Sequence, residues 1–169
     1  MRTKHFILYF TAFILLAGFS AYRNATPAPE LVWYTDLNQA HNVSQKTKKP
    51  IFGFFTGSDW CGWCMKLQRE VFAKDAFKIW ANKHVVLLEL DFPKRTPQSD
   101  ALKQQNANLA QGFQITGYPK VWLFSTQKDS VKNHFNINPY GSLGYPVGAE
   151  PGKEEVKFLE TANGILGIK

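Results

Sequence analysis

The sequence predicts a three-layer α/β/α sandwich around a central mixed sheet. Apolar runs of strand length, such as Ile51 to Phe55 and Val85 to Leu90, alternate with segments of helical spacing, which is typical of parallel βαβ units covered on both faces. Two further strands and a helix follow, which adds an antiparallel part to the sheet. The chain has 169 residues, enough for one domain with a substantial core.

The N-terminus has the three parts of a secretory signal. Arg2 and Lys4 precede a nearly uninterrupted apolar run from Phe6 to Phe19, and small residues follow at Ser20 and Ala21. This pattern predicts a signal peptide that is cleaved after one of these two small residues. An uncleaved membrane anchor is the alternative, although the run is short for spanning a bilayer. We therefore expect an exported, periplasmic protein, tethered to the inner membrane if the segment is retained.

The domain boundaries follow from these patterns. Residues 1–21 form the signal peptide or anchor, residues 22–30 a tether rich in proline and alanine, and residues 31–169 the folded domain. The predicted elements of that domain are, in order, a helix over 36–48 capped near Thr35 or Asp36, a strand over 51–55, a helix over 61–80 with a break near Lys74-Asp75, a strand over 85–90, a helix over 100–112, strands over 121–124 and 134–137, and a helix over 153–166. Residues 92–99 and the Gly- and Pro-rich residues 138–152 are predicted to be irregular.

The charge of the chain argues against a nucleic-acid partner. The net charge is +7, from 20 Lys and Arg residues against 13 Asp and Glu residues. The basic residues are scattered or form short pairs such as Lys48-Lys49 and Lys94-Arg95. No arginine-rich stripe is present, so a solvated basic surface is the better interpretation.

The only two cysteines, Cys61 and Cys64, stand at CxxC spacing. A disulfide between them would be a poor brace, because it closes a loop of two residues and removes little unfolded-state entropy. A metal site is the second alternative, but zinc takes at least three protein ligands and the four histidines have no paired spacing. Met65 follows the motif, which excludes the haem-attachment pattern CxxCH. We expect redox chemistry with no metal or cofactor; a copper site that adds a methionine stays an alternative.

The residues around the cysteines carry a family resemblance. An apolar strand precedes Thr-Gly-Ser-Asp-Trp-Cys-Gly-Trp-Cys at residues 56–64, and Gly-Tyr-Pro at residues 117–119 precedes a later strand. Together these features resemble the thioredoxin superfamily over residues 31–166. The 56–64 segment is similar to that of exported bacterial thioredoxin-like proteins, whose active-site loop is one residue longer than in thioredoxin.

The resemblance implies roles for the residues of the motif. Cys61, at a helix start, would be the more exposed sulfur and hence the attacking nucleophile, and Cys64 the more buried, resolving cysteine. Trp60 would cover the nucleophile and shape the substrate surface, with an ordinary core aromatic as the alternative. Gly62 would let the chain turn tightly into the helix. Trp63 would help to set the redox potential, and it differs from both the proline of thioredoxin and the histidine of oxidising members.

Two further features follow from the resemblance. Tyr118-Pro119 would be a cis peptide beside the cysteines, with the Tyr118 backbone presented to the substrate; a trans proline that opens a strand is the alternative. The buried acid of thioredoxin is replaced by Phe54. Glu89 is the nearest candidate to substitute for that acid, since a carboxylate in an apolar strand is costly unless it serves or is paired. A solvated Glu89 at an edge is the alternative.

The sequence therefore predicts a thiol-disulfide oxidoreductase that acts on exported protein disulfides or dithiols. A disulfide reductase is the favoured role, with oxidase or isomerase exchange, a non-catalytic binding module and metal handling as alternatives. Export implies a separate redox partner, which a reductase would find in the membrane. We expect the protein to be a monomer.

Overall fold

The computed structural model of the protein describes residues 27–129 and 134–168. The predicted signal peptide or anchor therefore lies outside the described residues, as do residues 22–26 of the tether. None of the helices in the described part has the length and apolar character needed to cross a membrane. The elements are β1 (Trp33–Tyr34), α1 (Leu37–Thr47), β2 (Ile51–Thr56), α2 (Gly62–Leu67), a π-helical segment (Gln68–Phe72), α3 (Asp75–His84), β3 (Val86–Asp91), α4 (Asp100–Gly112), β4 (Lys120–Asp129), β5 (His134–Leu143) and α5 (Glu154–Leu166).

The five strands form one mixed sheet in the order β1-β3-β2-β4-β5. β3 pairs in parallel with both β1 and β2, whereas β4 pairs antiparallel with β2, and β5 with β4. The predicted mixed sheet is confirmed. In the centre of the sheet, Phe54 of β2 is aligned with Glu89 of β3 on one side and with Val121 of β4 on the other.

Side chains that alternate along β2 supply both halves of the core. All six residues of this strand are buried. Phe52 and Phe54 join one cluster, to which α2, α3 and α5 also contribute. Ile51 and Phe55 join the other, with residues of α1 and α4. The two clusters give the three layers that the continuous apolar run predicted. The first cluster contains Cys61 and Cys64; we call it the cysteine-side core.

Two helix starts lie where the sequence predicted them because their caps are local. Asp36 accepts a hydrogen bond from the Gln39 N–H at 2.9 Å and caps α1. Ser99 accepts from the Leu102 N–H at 3.3 Å, so α4 begins at residue 100. A side-chain oxygen at this position satisfies an N–H that the helix itself leaves without a partner.

The predicted helix over 61–80 is divided more finely than expected. The break near Lys74-Asp75 is confirmed, because α3 begins at residue 75. The π-helical segment after α2 was not predicted. Within it, the Ala73 N–H bonds the Gln68 carbonyl at 2.8 Å, and the wider turn lets the consecutive residues Val71 and Phe72 both enter the core.

The prediction that residues 138–152 are irregular is wrong for residues 138–143. β5 continues to Leu143, and Pro139 lies within it. β5 is an edge strand, where a missing N–H need not break the ladder, and the pairing with β4 shifts register at Leu123 and Phe124. A Cβ on Gly141 would lie 3.0 Å from the Ile165 side chain, so glycine lets α5 approach the strand.

The two-residue β1 was also not predicted.

A buried histidine joins α1 to the far end of the sheet. His41 Nδ1 lies 2.8 Å from Thr126 Oγ1, and the imidazole ring packs 5.0 Å from the Phe135 ring. Burial, and then the positive charge of Lys128, lower the pKa of His41 below its ordinary value.

We expect this histidine to make stability depend on pH. Because its folded-state pKa is lowered, the unfolded chain binds the proton first, and stability is lost as the pH falls below about 6.5. In His41→Gln, which cannot become charged, the decline of the melting temperature between pH 7 and pH 5 should be shallower. His134→Gln is the matched control, because His134 is exposed at the start of β5 and its replacement should leave the decline unchanged. Parallel melting curves for wild type and His41→Gln would contradict the prediction.

Candidate active site

The two cysteines form a disulfide at the end of the central strand. Cys61 and Cys64 are bonded with their Cα atoms 5.2 Å apart. Cys61 has an extended backbone and is the N-cap of α2. Its Sγ accepts a hydrogen bond from the Cys64 N–H at 3.2 Å. In the reduced protein this N–H and the positive end of the helix would stabilise a thiolate on Cys61.

Burial distinguishes the two sulfurs as predicted. Cys61 is 6% exposed, whereas Cys64 is 0% exposed within the cysteine-side core. Only Cys61 is therefore open to a second disulfide. A buried thiol in apolar surroundings also resists ionisation, which suits a cysteine that acts after the first one has reacted.

The loop before the disulfide is tied to the end of β3. Ser58 donates from its N–H and from its hydroxyl to the two carboxylate oxygens of Asp91, at 2.8 and 2.6 Å. A Cβ on Gly57 would lie 2.4 Å from the Trp60 ring. Glycine is therefore required at position 57, because the indole packs directly against the backbone there.

Asp59 holds a second loop, the one that joins β3 to α4. Its carboxylate accepts hydrogen bonds from the N–H groups of Lys94, Arg95 and Thr96 at 2.9, 2.7 and 3.0 Å. These bonds lower the pKa of Asp59 to about 2. Asp59 is thus a loop residue whose carboxylate caps the loop at 94–96 and not a helix.

Trp60 links this loop to the Tyr-Pro turn. Its Nε1 donates to the Phe92 carbonyl at 2.8 Å, and Lys94 Nζ lies 4.2 Å from the centre of the indole ring. The indole meets the Tyr118 ring edge-on at 5.7 Å. Trp60 is only partly buried, so it is an aromatic of the site surface that also packs against the core.

The Tyr118-Pro119 peptide is cis, as the resemblance implied. The Trp60 and Tyr118 contact places this turn against the residue that precedes Cys61. Val121, two residues after the proline, is buried in the cysteine-side core together with both cysteines. The structure thus brings five of the predicted site residues together: the two cysteines, Trp60, Tyr118 and Pro119.

The steric role expected for Gly62 is wrong. A Cβ built at this position has no heavy atom within 4 Å, and the backbone of Gly62 does not have the positive φ that favours glycine. The turn into α2 therefore does not need a glycine. A glycine at this position instead leaves the surface beside Cys61 without a side chain.

Trp63 projects from the other side of the disulfide and is 56% exposed. Its ring lies 5.0 Å from the Tyr145 ring, and Lys66 Nζ lies 5.0 Å from the centre of the Trp63 ring. The Tyr145 hydroxyl donates to Glu70. Sequence reasoning gave Lys66 no role and missed Tyr145. The sequence did offer one signal for this cluster, because the spacing of residues 63, 66 and 70 places them on one helix face.

Glu89 faces the same side of the sheet as Phe54. The two residues are register partners in a parallel pair and line one groove beside α2, together with Trp33, Met65 and Arg69. Burial, and then the charge of Asp91, raise the pKa of Glu89 above its usual value. The alternative of a freely solvated carboxylate is wrong, since Glu89 is half-buried.

No cluster of three or more His, Cys, Asp or Glu side chains suited to a metal ion occurs within residues 27–129 and 134–168. Of the four histidines considered as metal ligands, His41 lies in α1 and His84 at the end of α3. The redox-active group of the described residues is the disulfide itself.

Removing the Asp59 carboxylate should release the 94–96 loop. In Asp59→Ala the backbone N–H groups of Lys94, Arg95 and Thr96 lose their acceptor, so their hydrogen exchange should become faster by an order of magnitude or more. Asp75→Ala is a suitable control, because Asp75 makes only an exposed ion pair with Lys78. Unchanged exchange at the three amides in Asp59→Ala would contradict the assignment.

Comparisons with known proteins agree with this geometry. Residues 32–125 match the model of a family described as thioredoxin-like. The chain is 34% identical over 118 residues to the disulfide bond reductase DsbH of Chlamydia pneumoniae, covering 70% of each chain. It is 30% identical over 131 residues to the thioredoxin-related protein DsbJ of the same organism, covering 78% of this chain and 36% of DsbJ.

The solved structures give the same result. A structure titled DsbH oxidoreductase aligns with a TM-score of 0.69 and 26% identity, over 85% of this chain and 89% of that one. A thioredoxin from Thermus thermophilus aligns with a TM-score of 0.56 and 14% identity, over 82% and 88%, and supports the fold alone. The chain belongs to the thioredoxin-like family, and its Cys61–Cys64 pair is that of a thiol-disulfide oxidoreductase.

Proposed function

We propose that the protein is a disulfide reductase of exported proteins. The observation that carries this proposal is the asymmetric pair at the N-terminus of α2, in which Cys61 keeps a small exposed fraction and Cys64 is fully enclosed. Similarity to a protein named disulfide bond reductase, over 70% of each chain, supports the direction of electron flow. The remaining predicted site residues, Trp60, Gly62, Trp63, Tyr118 and Pro119, are proposed to contact the substrate.

The chemistry proceeds in two exchanges. The Cys61 thiolate attacks one sulfur of the substrate disulfide, so that a mixed disulfide forms and the other substrate sulfur leaves as a thiolate that takes up a proton. Cys64 then loses its proton and attacks Cys61 Sγ. The second substrate sulfur leaves, and the Cys61–Cys64 disulfide seen in the structure is formed. The substrate gains two electrons and two protons.

Each turnover leaves the protein oxidised, so a redox partner must return two electrons to the pair. We propose that the protein works outside the cytoplasm in a periplasmic space, as a monomer, and that a membrane protein supplies these electrons. The basic and apolar pattern over residues 1–21 supports export. Retention of that segment would hold the protein at the membrane that contains the donor.

Glu89 is the group that we propose assists proton transfer from Cys64. It lies level with Phe54, which occupies the place of the usual acid, and Phe54 belongs to the same core cluster as both cysteines. The shared groove also contains Met65, the neighbour of Cys64. Asp91 and Arg69 are the other charged groups near this carboxylate.

Replacing Glu89 by glutamine should stabilise the protein and slow its second exchange. Because the folded-state pKa of Glu89 is raised, its charge destabilises the fold at pH 7, and this cost disappears as the pH falls toward the ordinary value of 4.5. Glu89→Gln should therefore melt higher than wild type at pH 7 and equally at pH 4. Stopped-flow measurement at pH 7 should show slower release from the mixed disulfide. A lower melting temperature with unchanged kinetics would contradict the proposed role.

The reduction potential of the Cys61–Cys64 pair tests the direction of electron flow. Equilibration with dithiothreitol or glutathione should give a value near that of thioredoxin, about −270 mV, rather than the value of about −120 mV typical of a strong oxidant. Reduced protein should also reduce insulin. Cys61→Ser should abolish this activity, and Cys64→Ser should accumulate the mixed disulfide.

Each alternative has its own signature in the same assays. A potential near −120 mV with oxidation of reduced substrates would favour disulfide donation over reduction. Equal insulin reduction by wild type and Cys61→Ser would exclude the enzymatic role and favour a binding module. A stoichiometric metal in the reduced protein would favour metal handling.

A further inference from the structure

Beside the disulfide, Trp63 belongs to a cluster of aromatic and charged side chains whose other members, Lys66, Glu70 and Tyr145, have no role in the exchanges above. The Trp63 and Tyr145 rings lie 5.0 Å apart, and the ammonium of Lys66 lies 5.0 Å from the first ring and 4.8 Å from the second. The Tyr145 hydroxyl donates to Glu70 Oε2 at 2.5 Å. These contacts join α2 and the π-helical segment to the loop that precedes α5.

The cluster holds apolar surface toward solvent. Trp63 is 56% exposed, and Val147, in the same loop as Tyr145, is 78% exposed. The loop is ordered by a hydrogen bond from the Val147 N–H to the Tyr145 carbonyl at 2.8 Å, and by Lys157 Nζ, which donates to the Val147 carbonyl at 2.8 Å. An indole that is fixed in place but left half-exposed adds little to the core, and exposed apolar groups of this kind are typical of recognition sites.

The position of Trp63 brings it within reach of a bound substrate. In the mixed disulfide the Cα of the substrate cysteine lies about 5.5–6 Å from the Cα of Cys61. The next substrate residue is about 3.8 Å further along. The Cα of Trp63 is two residues from that of Cys61, hence at most about 7 Å away. A residue adjacent to the substrate cysteine can therefore contact the indole.

The charges of the cluster favour an apolar residue at that place. Glu70 pairs with Lys66 at 3.9 Å and with Arg69 at 3.1 Å, and the Lys66 ammonium also faces both rings. The carboxylate and the ammonium are thus occupied within the cluster. The parts of the two rings that Lys66 does not cover are what remains available to a partner.

We propose that Trp63 and Tyr145 form a recognition surface for protein disulfides that have an apolar residue next to the reactive cysteine. Glu70 and Lys66 are positioning residues, which act through Tyr145 and Trp63. This inference rests on the proposed reductase function and names its preferred substrates.

Disulfide-linked peptides of one sequence, with leucine, serine or aspartate next to the cysteine, are suitable probes. The reduced wild-type protein should cleave the leucine peptide with a kcat/KM about tenfold above that of the serine peptide, chiefly through KM, since a buried interface contact commonly accounts for a factor of ten or more. Tyr145→Ala should lower this ratio toward one. Tyr145→Phe keeps the ring but loses the bond to Glu70, so its ratio should be intermediate.

Tyr140→Ala is the matched control. Tyr140 is also an exposed tyrosine, 46% accessible, but it lies on β5 and lines a groove with Pro50, His84 and Ile165. Its leucine-to-serine ratio should equal that of wild type. The reduction potential of each variant should also be unchanged, which separates recognition from redox tuning.

Several results would overturn the inference while leaving the reductase function intact. These are equal kcat/KM for the leucine and serine peptides, a preference for aspartate, an equal loss on all peptides in Tyr145→Ala, or a shifted potential that accounts for the loss. Wild-type protein that reduces none of the peptides and no insulin would instead refute the proposed function itself.

Discussion

Strand β2 is buried along its whole length, and this burial determines where the two cysteines lie. All six of its residues are buried and four of them contribute to the two cores, so the strand can occupy only the centre of the sheet. In such sheets the reactive groups collect beyond the carboxyl ends of the parallel strands. The chain leaves β2 at Thr56, and five residues later Cys61 caps the start of α2 at that edge. The disulfide is therefore held by the core and yet reaches the surface at one sulfur.

The residues between the strand and Cys61 fasten this edge to its neighbours. Ser58 bonds to the end of β3, Asp59 to the 94–96 loop, and Trp60 to the Phe92 carbonyl. Consecutive side chains thus hold one loop against another. This explains why the segment that joins β3 to α4 can be longer than a minimal connection and still form an ordered wall of the site. Tyr118 completes that wall through its contact with Trp60.

The predictions that succeeded were those decided by local chemistry. The cap at Ser99 and the run of apolar residues in β2 depend on near neighbours in the chain, so α4 and the central strand were recognisable. The cis peptide before Pro119 came from the family resemblance. The sequence predicted too short a β5, because Pro139 and Gly141 are typical turn residues. They are tolerated in a strand here only because β5 lies at the edge of the sheet. Tyr145 was missed for a related reason, since its partner Glu70 lies 75 residues away in the sequence.

The presence of Phe54 at the position of the usual acid is best understood together with Glu89. Phe54 packs against Trp33 and Phe72, with ring centres 5.9 and 5.0 Å away, so a carboxylate at this place would be enclosed by aromatic rings without a partner. An unpaired charge in such surroundings costs on the order of several kcal/mol unless the group becomes neutral. The adjacent strand offers a position at the same level that opens into a groove, and there Glu89 stays half-buried with a raised pKa. The sheet thus combines a fully apolar centre with a titratable group close to it. The strand register makes this possible, because it aligns Phe54 of β2 with Glu89 of β3.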